Sequence, residues 1–257
     1  MSNKVETAVA ESLKRCGYTG KDFLLTIAVS GGPDSMALIN AVYNLQKSLS
    51  IRLHLAHLNH NFRKEADEDA QFAEHIAKSL GIPYTIHKTN PMTYQKEHRI
   101  SSFEEAARQV RYRFLSEVTQ TNMATAVLVG HTFDDQAETV LMHVLRGTGI
   151  TGLGGMKELS IQHYPEHKVP LIILRPLLQV TKEETREYCQ VRDIPFRDDP
   201  ANLSLRFTRN KIRNVLLPSL REYNPKITDA LVRLSQTASL EQDFLASELD
   251  TVWHTVA

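Results

Sequence analysis

Two groups of residues in this chain have the types and spacing that chemistry on a phosphorylated ligand requires. The first is Ser30-Gly31-Gly32-Pro33-Asp34-Ser35. Glycines let a backbone approach an anion closely, and Ser30 and Ser35 add hydroxyl donors. Pro33 suits the first turn of a helix, where its missing N–H costs nothing. No lysine follows the glycines, as it does in the commonest nucleotide loop. Asp34 takes a forward place instead, and a carboxylate beside phosphates makes sense only with a cation such as Mg²⁺ between them. The second group is His131, Asp134, Asp135 and Glu138, with Glu138 one helical turn beyond Asp134. Mg²⁺ held by Asp34 and Asp135, with Glu138 as general base, is the reading favoured here. Plain acidic capping of a helix start is the bland alternative.

Further polar groups are more ambiguous. Arg108 and Arg111 stand three apart, with Glu104 one turn before Arg108. They suit a clamp on phosphates or a nucleobase, but a solvated face with an i,i+4 ion pair is the commoner meaning. His57 and His60 lack a cysteine or a third ligand for zinc, so a mobile loop bearing Arg63 is the better reading. Arg206, Arg209, Lys211, Arg213 and Arg221 lie close together, with Phe207 among them. Arginine interleaved with an aromatic suits RNA, and a solvated basic face fits nearly as well.

These groups need elements to hold them. Phe23–Val29 reads as a buried strand and Met36–Val42 as a helix, so the Ser-Gly-Gly string joins strand to helix. As a bare string it is equally a polar turn; its flanks favour phosphate. Arg52–Leu58, Tyr84–His87 and Ala126–Gly130 read as further strands. Asp67–Leu80, Ser101–Thr119 and Asp134–Arg146 read as helices, with Ser101 and Glu104 as a capping box. This alternation predicts an α/β fold, a parallel Rossmann-like sheet with helices on both faces. Ligands then gather outside the carboxyl ends of the strands, where three of the polar clusters fall. Beyond a glycine-rich stretch, Leu159–His163 and Val169–Leu174 read as a hairpin at the sheet edge. Thr181 with Glu184 opens a helix, Thr208–Leu220 forms another, and the periodicity from Asn224 predicts a helical tail. The expected division is a catalytic domain over 1–217 and a helical extension over 218–257.

Composition narrows the class. The 257 residues hold 42% hydrophobic and 23% charged residues, enough for one large domain with a small appendage. Lys+Arg and Asp+Glu are both 30, so any RNA contact needs a local basic patch. Cys16 and Cys189 form no Cys-x-x-Cys pair, which argues against zinc, an iron–sulfur cluster or a disulfide scaffold. No apolar run reaches membrane-spanning length and no leader pattern opens the chain, so no membrane partner and a cytoplasmic location are expected.

The Ser30–Ser35 string resembles the pyrophosphate loop of N-type ATP pyrophosphatases, which split ATP into AMP and pyrophosphate. From about Leu24 to Leu220 the chain is similar to the tRNA(Ile)-lysidine synthetases. The likeness rests on Asn59-His60-Asn61-Phe62-Arg63, Glu104 to Tyr112, Asp134-Asp135-Gln136-Ala137-Glu138-Thr139 and Arg146 to Leu153. It continues through Arg175-Pro176-Leu177-Leu178 and Asp199-Pro200-Ala201-Asn202 to Arg209-Asn210-Lys211-Ile212-Arg213. The last two blocks are the most specific. Asn61-Phe62, Thr132, Ala201 and Phe207 depart from the usual pattern without removing a proposed catalytic group.

The resemblance implies that ATP adenylates the C2 carbonyl oxygen of the wobble cytidine in a CAU anticodon of tRNA(Ile). Free L-lysine then displaces AMP. ATP and Mg²⁺ would sit at Ser30 to Ser35, Asp34 and Asp135. Arg108, Arg111, Glu138 and His131 would serve catalysis, and His60, Arg63, Arg206, Arg209, Asn210 and Arg213 the tRNA. Two rivals are a tRNA 2-thiolating relative, which needs catalytic cysteines, and a non-catalytic nucleotide- or RNA-binding module.

Overall fold

A computed structural model describes residues 4–61, 65–164, 169–199, 201 and 204–256. The elements in chain order are α1 (Lys4–Arg15), β1 (Phe23–Val29), α2 (Pro33–Leu49), β2 (Ile51–Asn59), α3 (Ala66–Leu80) and β3 (Tyr84–Lys88). Next come α4 (Pro91–Glu97), α5 (Phe103–Thr121), β4 (Ala126–Leu128), α6 (Phe133–Leu145), α7 (Ile150–Leu153), β5 (Leu159–Gln162) and β6 (Leu171–Leu174). The last are α8 (Lys182–Val191), α9 (Thr208–Lys211), a π-turn over Ile212–Leu216, α10 (Leu217–Tyr223) and α11 (Ile227–Val256). The described residues fall into two compact units. One spans Met1–Thr132 and Glu158–Asp199; the other spans Phe133–Lys157 and Pro200–Ala257.

The first unit carries a six-stranded sheet in the order β3-β2-β1-β4-β6-β5. Neighbours from β3 to β6 run parallel, and β5 closes the edge antiparallel to β6. The expected hairpin therefore forms, and its second strand joins the parallel ladder. The apolar runs of β1 and β4 follow from burial on both faces. Leu25, Ile27 and Val29 face a core built with residues of α1, α2 and α8, including Val9, Leu38 and Cys189. Tyr112, Leu115 and Val118 of α5 pack with Ala56, Val127 and Ile173 on the other face. β1 lies between β2 and β4, so the carboxyl ends of β2, β1 and β4 are neighbours. That edge carries the Ser-Gly-Gly loop, the His57–His60 segment and the Gly130-His131 segment.

Three local expectations shift. The N-cap of α5 is Ser102, whose hydroxyl accepts from the Glu105 amide, rather than Ser101 with Glu104. Ser102-x-x-Glu105 carries the same pattern one residue on. β4 is shorter than Ala126–Gly130. The run from Thr208 is helical, but it widens into a π-turn before Pro218. Proline lacks an N–H and crowds the carbonyl four residues back, and a wider turn relieves both.

In the second unit, Ala137, Val140 and Leu141 of α6 pack on Ile212, Leu217, Leu231 and Val232. The end of the glycine-rich stretch, just past α7, is held by Gln136. Its amide donates to the carbonyls of Met156 (3.1 Å) and Gly154 (3.4 Å), and its oxygen accepts from the Met156 amide (2.8 Å). Among the described residues, no helix is long and apolar enough to cross a membrane.

Candidate functional site

The Ser-Gly-Gly loop forms the link between β1 and α2 that its residues require. Gly31 has φ +84°, a region costly for side-chain-bearing residues, and Gly32 is the helix N-cap without a side-chain cap. A helix start without a side-chain cap suits an anion, and the helix dipole adds positive potential there. The loop hydroxyls brace it. Ser35 Oγ donates to the Gly32 carbonyl (2.9 Å), and Ser30 Oγ lies 3.0 Å from Ser35 Oγ. From outside, the Arg197 amide donates to the Gly31 carbonyl (2.9 Å). The Arg197 guanidinium pairs with Glu68 (2.7 Å) and Asp69 (3.0 Å) of α3.

Gly130, just past β4, faces the first turn of α2. A Cβ there would lie 3.1 Å from the Asp34 carbonyl oxygen and 3.2 Å from the Ser35 nitrogen. Backbone cannot swing aside as a flexible side chain can. Gly130→Ala is therefore expected to displace the α2 start and weaken ATP binding about tenfold, with the melting temperature within about 4 °C of the parent. Equilibrium ATP titration checks this.

His57 lies within β2 rather than after it. It is 6% exposed, and its Nδ1 donates to the Val29 carbonyl (2.9 Å) at the entry to the loop. That bond leaves Nε2 as the acceptor of a neutral ring, and among the described residues it has no partner. His60 Nδ1 is likewise buried and unpartnered among the described residues. Burial, then Arg111 and His57, push the His60 pKa down to about 4, so His60 is a neutral hydrogen-bonding group at physiological pH. The folded value lies below the unfolded one of 6.5. Stability from this group is thus full above about pH 6.5 and lost as pH falls towards 4, by about 2–3 kcal/mol. Urea titrations across that window check the slope, which His60→Gln should flatten. Arg63 lies outside the described residues.

Arg108 and Arg111 flank Tyr112, their guanidinium carbons 4.8 and 5.2 Å from its ring centroid. Arg108 lies over this ring instead of pairing with Glu104. Burial acts to raise the Tyr112 pKa, but Arg111, Arg108 and Arg175 outweigh it and hold the phenol below its usual value. Arg175, 4% exposed, is pushed down by its own burial and donates to Ser160 Oγ (2.9 Å). The result is a concentration of positive charge in the first unit, suited to an anion. His131 follows it, half-buried, just past β4.

The second unit brings four predicted residues together. Glu138, 2% exposed, accepts from Arg209 Nε (2.9 Å) and from Arg213 Nε (2.6 Å) and Nη2 (3.0 Å). Asp135 is 3.4 Å from Arg209 and 3.3 Å from Arg213. The arginines stand four apart, and so do not oppose each other across a helix; both reach the same face of α6. Burial works against the Arg209 charge, but Asp135 and Glu138 override it and raise the pKa. Asn210, expected on the tRNA, clasps the carbonyls of Ala201 (2.8 Å) and Ser204 (2.9 Å). Arg206 is exposed, and Asp134 is half-buried at the start of α6.

No group of three or more His, Cys, Asp or Glu side chains that could hold a metal ion occurs among the described residues. Mg²⁺ asks less, one or two carboxylates plus phosphate oxygens and water. Asp34 on the first turn of α2 fits that requirement. The Cys189 thiol, buried against the Pro33 carbonyl, is pushed up to about 12 by burial and by Asp34. Cys16 is also raised, again chiefly by burial. Neither has the lowered pKa of a reactive thiolate.

A PP-loop domain model matches residues 1–220. The chain is 35% identical over 239 residues to a tRNA(Ile)-lysidine synthase of Gloeobacter violaceus, covering 90% of this chain and 68% of that one. The chain belongs to the tRNA(Ile)-lysidine synthase family. Proteins of that name from Dehalococcoides mccartyi and Symbiobacterium thermophilum are 37% and 38% identical over 92% and 94% of this chain. The alignments cover 50% and 48% of those proteins, so the chain spans about half their length. Two solved structures share the fold: a U34-tRNA thiolase of Methanococcus maripaludis and an NMN synthetase of Francisella tularensis. Their TM-scores are 0.72 and 0.56 at 16% and 14% identity, over 91% and 93% of this chain and 78% and 96% of theirs.

Against that family frame, the loop, the arginines of α5 and the acidic start of α6 were all visible in the sequence. Thr185, Gly130 and Tyr112 were not singled out. Only Tyr112 left a signal, as an aromatic between the Arg108–Arg111 pair and Arg113.

Proposed function

We propose that this lysidine synthase homologue joins L-lysine to C2 of the wobble cytidine of tRNA(Ile) bearing a CAU anticodon, at the expense of ATP. The observation that carries this reading is the start of α2 at Gly32 without a side-chain cap, a turn suited to phosphate in a chain of this family. The cytidine O2 attacks the α-phosphorus of ATP, the bond to the β-phosphate oxygen breaks, and pyrophosphate leaves. The lysine amine then forms a bond to C2, and AMP departs with the former O2. Adenylation is needed because an amide-like oxygen is a poor leaving group.

The chain's own residues divide this work. Ser30, Ser35 and the loop amides hold the pyrophosphate as its charge grows. Arg108 and Arg111 neutralise phosphate or hold the cytidine. Mg²⁺, which Asp34 would help to hold, would screen the triphosphate charge. Glu138 takes the proton the amine must lose. A lysine ammonium carries the same charge as a guanidinium, so it can replace Arg209 or Arg213 beside Glu138 without leaving the buried carboxylate uncompensated. Residues 1–217 carry the chemistry and 218–257 begin an RNA-binding extension.

AMP release tests the proposal when followed with ATP, tRNA(Ile) and lysine each withheld in turn. The expected result is AMP release that needs all three. AMP release independent of lysine would overturn the ligase reading.

A further inference from the structure

The first turn of α2 is held from the side by α8. Thr185 Oγ1 lies within hydrogen-bonding distance of Asp34 Oδ1. One turn on, Cys189 Sγ donates to the Pro33 carbonyl (3.5 Å), and Tyr188 Oη lies 2.8 Å from Asn40 Oδ1 further along α2. The start of α8 is itself fixed by a capping box. Thr181 Oγ1 accepts from the Glu184 amide (3.2 Å), and Glu184 accepts from the Thr181 amide (2.8 Å). Residues 185 and 189 are one turn apart, so one face of α8 meets the two residues that open α2.

We infer that Thr185 is a positioning residue that fixes the orientation of the Asp34 carboxylate for the magnesium–ATP complex. This rests on the phosphate-site reading of the Ser30–Ser35 loop. Thr185 is fully buried in a helix interior, where threonine is a poor choice on propensity alone. Its hydroxyl has a single hydrogen and two acceptors in reach, Asp34 Oδ1 and the Lys182 carbonyl at 2.9 Å. A backbone carbonyl three residues back could satisfy a helix threonine by itself. The ionised carboxylate is the stronger acceptor, so the hydrogen goes to Asp34. A carboxylate at a helix start otherwise turns about two side-chain torsions, and only some of those orientations present oxygen towards a ligand at the amide end. Holding Oδ1 removes that freedom before nucleotide binds. Thr185 touches no reacting atom in this arrangement; its effect passes through Asp34.

The test uses the full chain and binding alone, without lysine or tRNA. Calorimetry measures ATP affinity at a series of Mg²⁺ concentrations for the parent and for Thr185→Val, Thr185→Ser and Asp34→Asn. Melting curves are recorded alongside. Thr185→Val keeps the volume and loses the hydroxyl; it is expected to weaken magnesium-dependent ATP affinity about tenfold. Thr185→Ser restores the hydroxyl and is expected to bind within about twofold of the parent. Should Thr185→Val not fold, Thr185→Ala carries the same expectation. Parent-like Mg²⁺ dependence in the folded Thr185 variant, with Asp34→Asn impaired, overturns the positioning role and leaves the phosphate site standing. Parent-like binding in both overturns the phosphate-site reading itself, and the positioning role with it. Equal loss in Thr185→Val and Thr185→Ser also overturns the proposal, because the hydroxyl would then not be the cause.

Discussion

Asp34→Ala is expected to lower ATP-dependent AMP formation by at least about a hundredfold while the protein stays folded. Asp34 stands on the first turn of α2, beside amides that have no side-chain cap. There a carboxylate contributes to stability chiefly through the helix dipole, about 0.3–1 kcal/mol, and through its bond from Thr185, about 1 kcal/mol more. For a protein of this size that is a shift of only several degrees in Tm. On the proposed reading the effect on turnover is far larger, because the group that would organise the counter-ion of the triphosphate is gone. Steady-state AMP assays with melting curves on the same preparations separate the two. Parent-like AMP formation by the variant would remove Asp34 from the metal site.

The second large effect concerns folding. Replacing Arg209 and Arg213 together by methionine is expected to cost about 3–5 kcal/mol of stability. The substitution leaves Glu138 and Asp135 buried without their cations. Methionine keeps most of the aliphatic stem, so lost packing is a minor part of that cost. Adding Glu138→Gln to the double variant should recover a large share of it, since the uncompensated charge is then removed as well. Urea unfolding of the three proteins reads this directly. If the triple variant is less stable than the double, the arginines act through packing or other contacts, and the charge cluster is not what holds that unit.

The parts of the molecule that were legible in the sequence are those where the cause is local. Gly31 and Gly32 between an apolar strand and a helix leave few conformations open, and Gly31 takes the positive φ that such a turn uses. The β5–β6 hairpin and the Thr181–Glu184 box are likewise set by neighbours a few residues apart. Ser101 and Ser102 each carry a glutamate three residues on, and pattern alone does not separate them. The short helix α4 and the polar helix α1 were missed. The periodicity of α1 shows only once Val5, Val9 and Leu13 are seen to be buried together.

The candidate site divides the same way. Residue types at the loop and at the start of α6 showed which groups could do chemistry. What those groups touch is decided by contacts distant in sequence: Thr185 reaches Asp34 across 151 positions, and Arg213 reaches Glu138 across 75. The carboxylates that Arg209 and Arg213 meet within the fold left no mark on the basic run itself. The loop that Asn210 closes was equally silent in the sequence.

The central claim is that this chain transfers lysine onto a cytidine base. It is met most directly by mass analysis of the nucleosides released from tRNA(Ile) with a CAU anticodon after incubation with the protein, ATP, Mg²⁺ and L-lysine. The account predicts a cytidine heavier by one lysine less one water, present only when ATP and lysine are both supplied. Unmodified cytidine at the wobble position, from folded protein that consumes ATP under the same conditions, would contradict it.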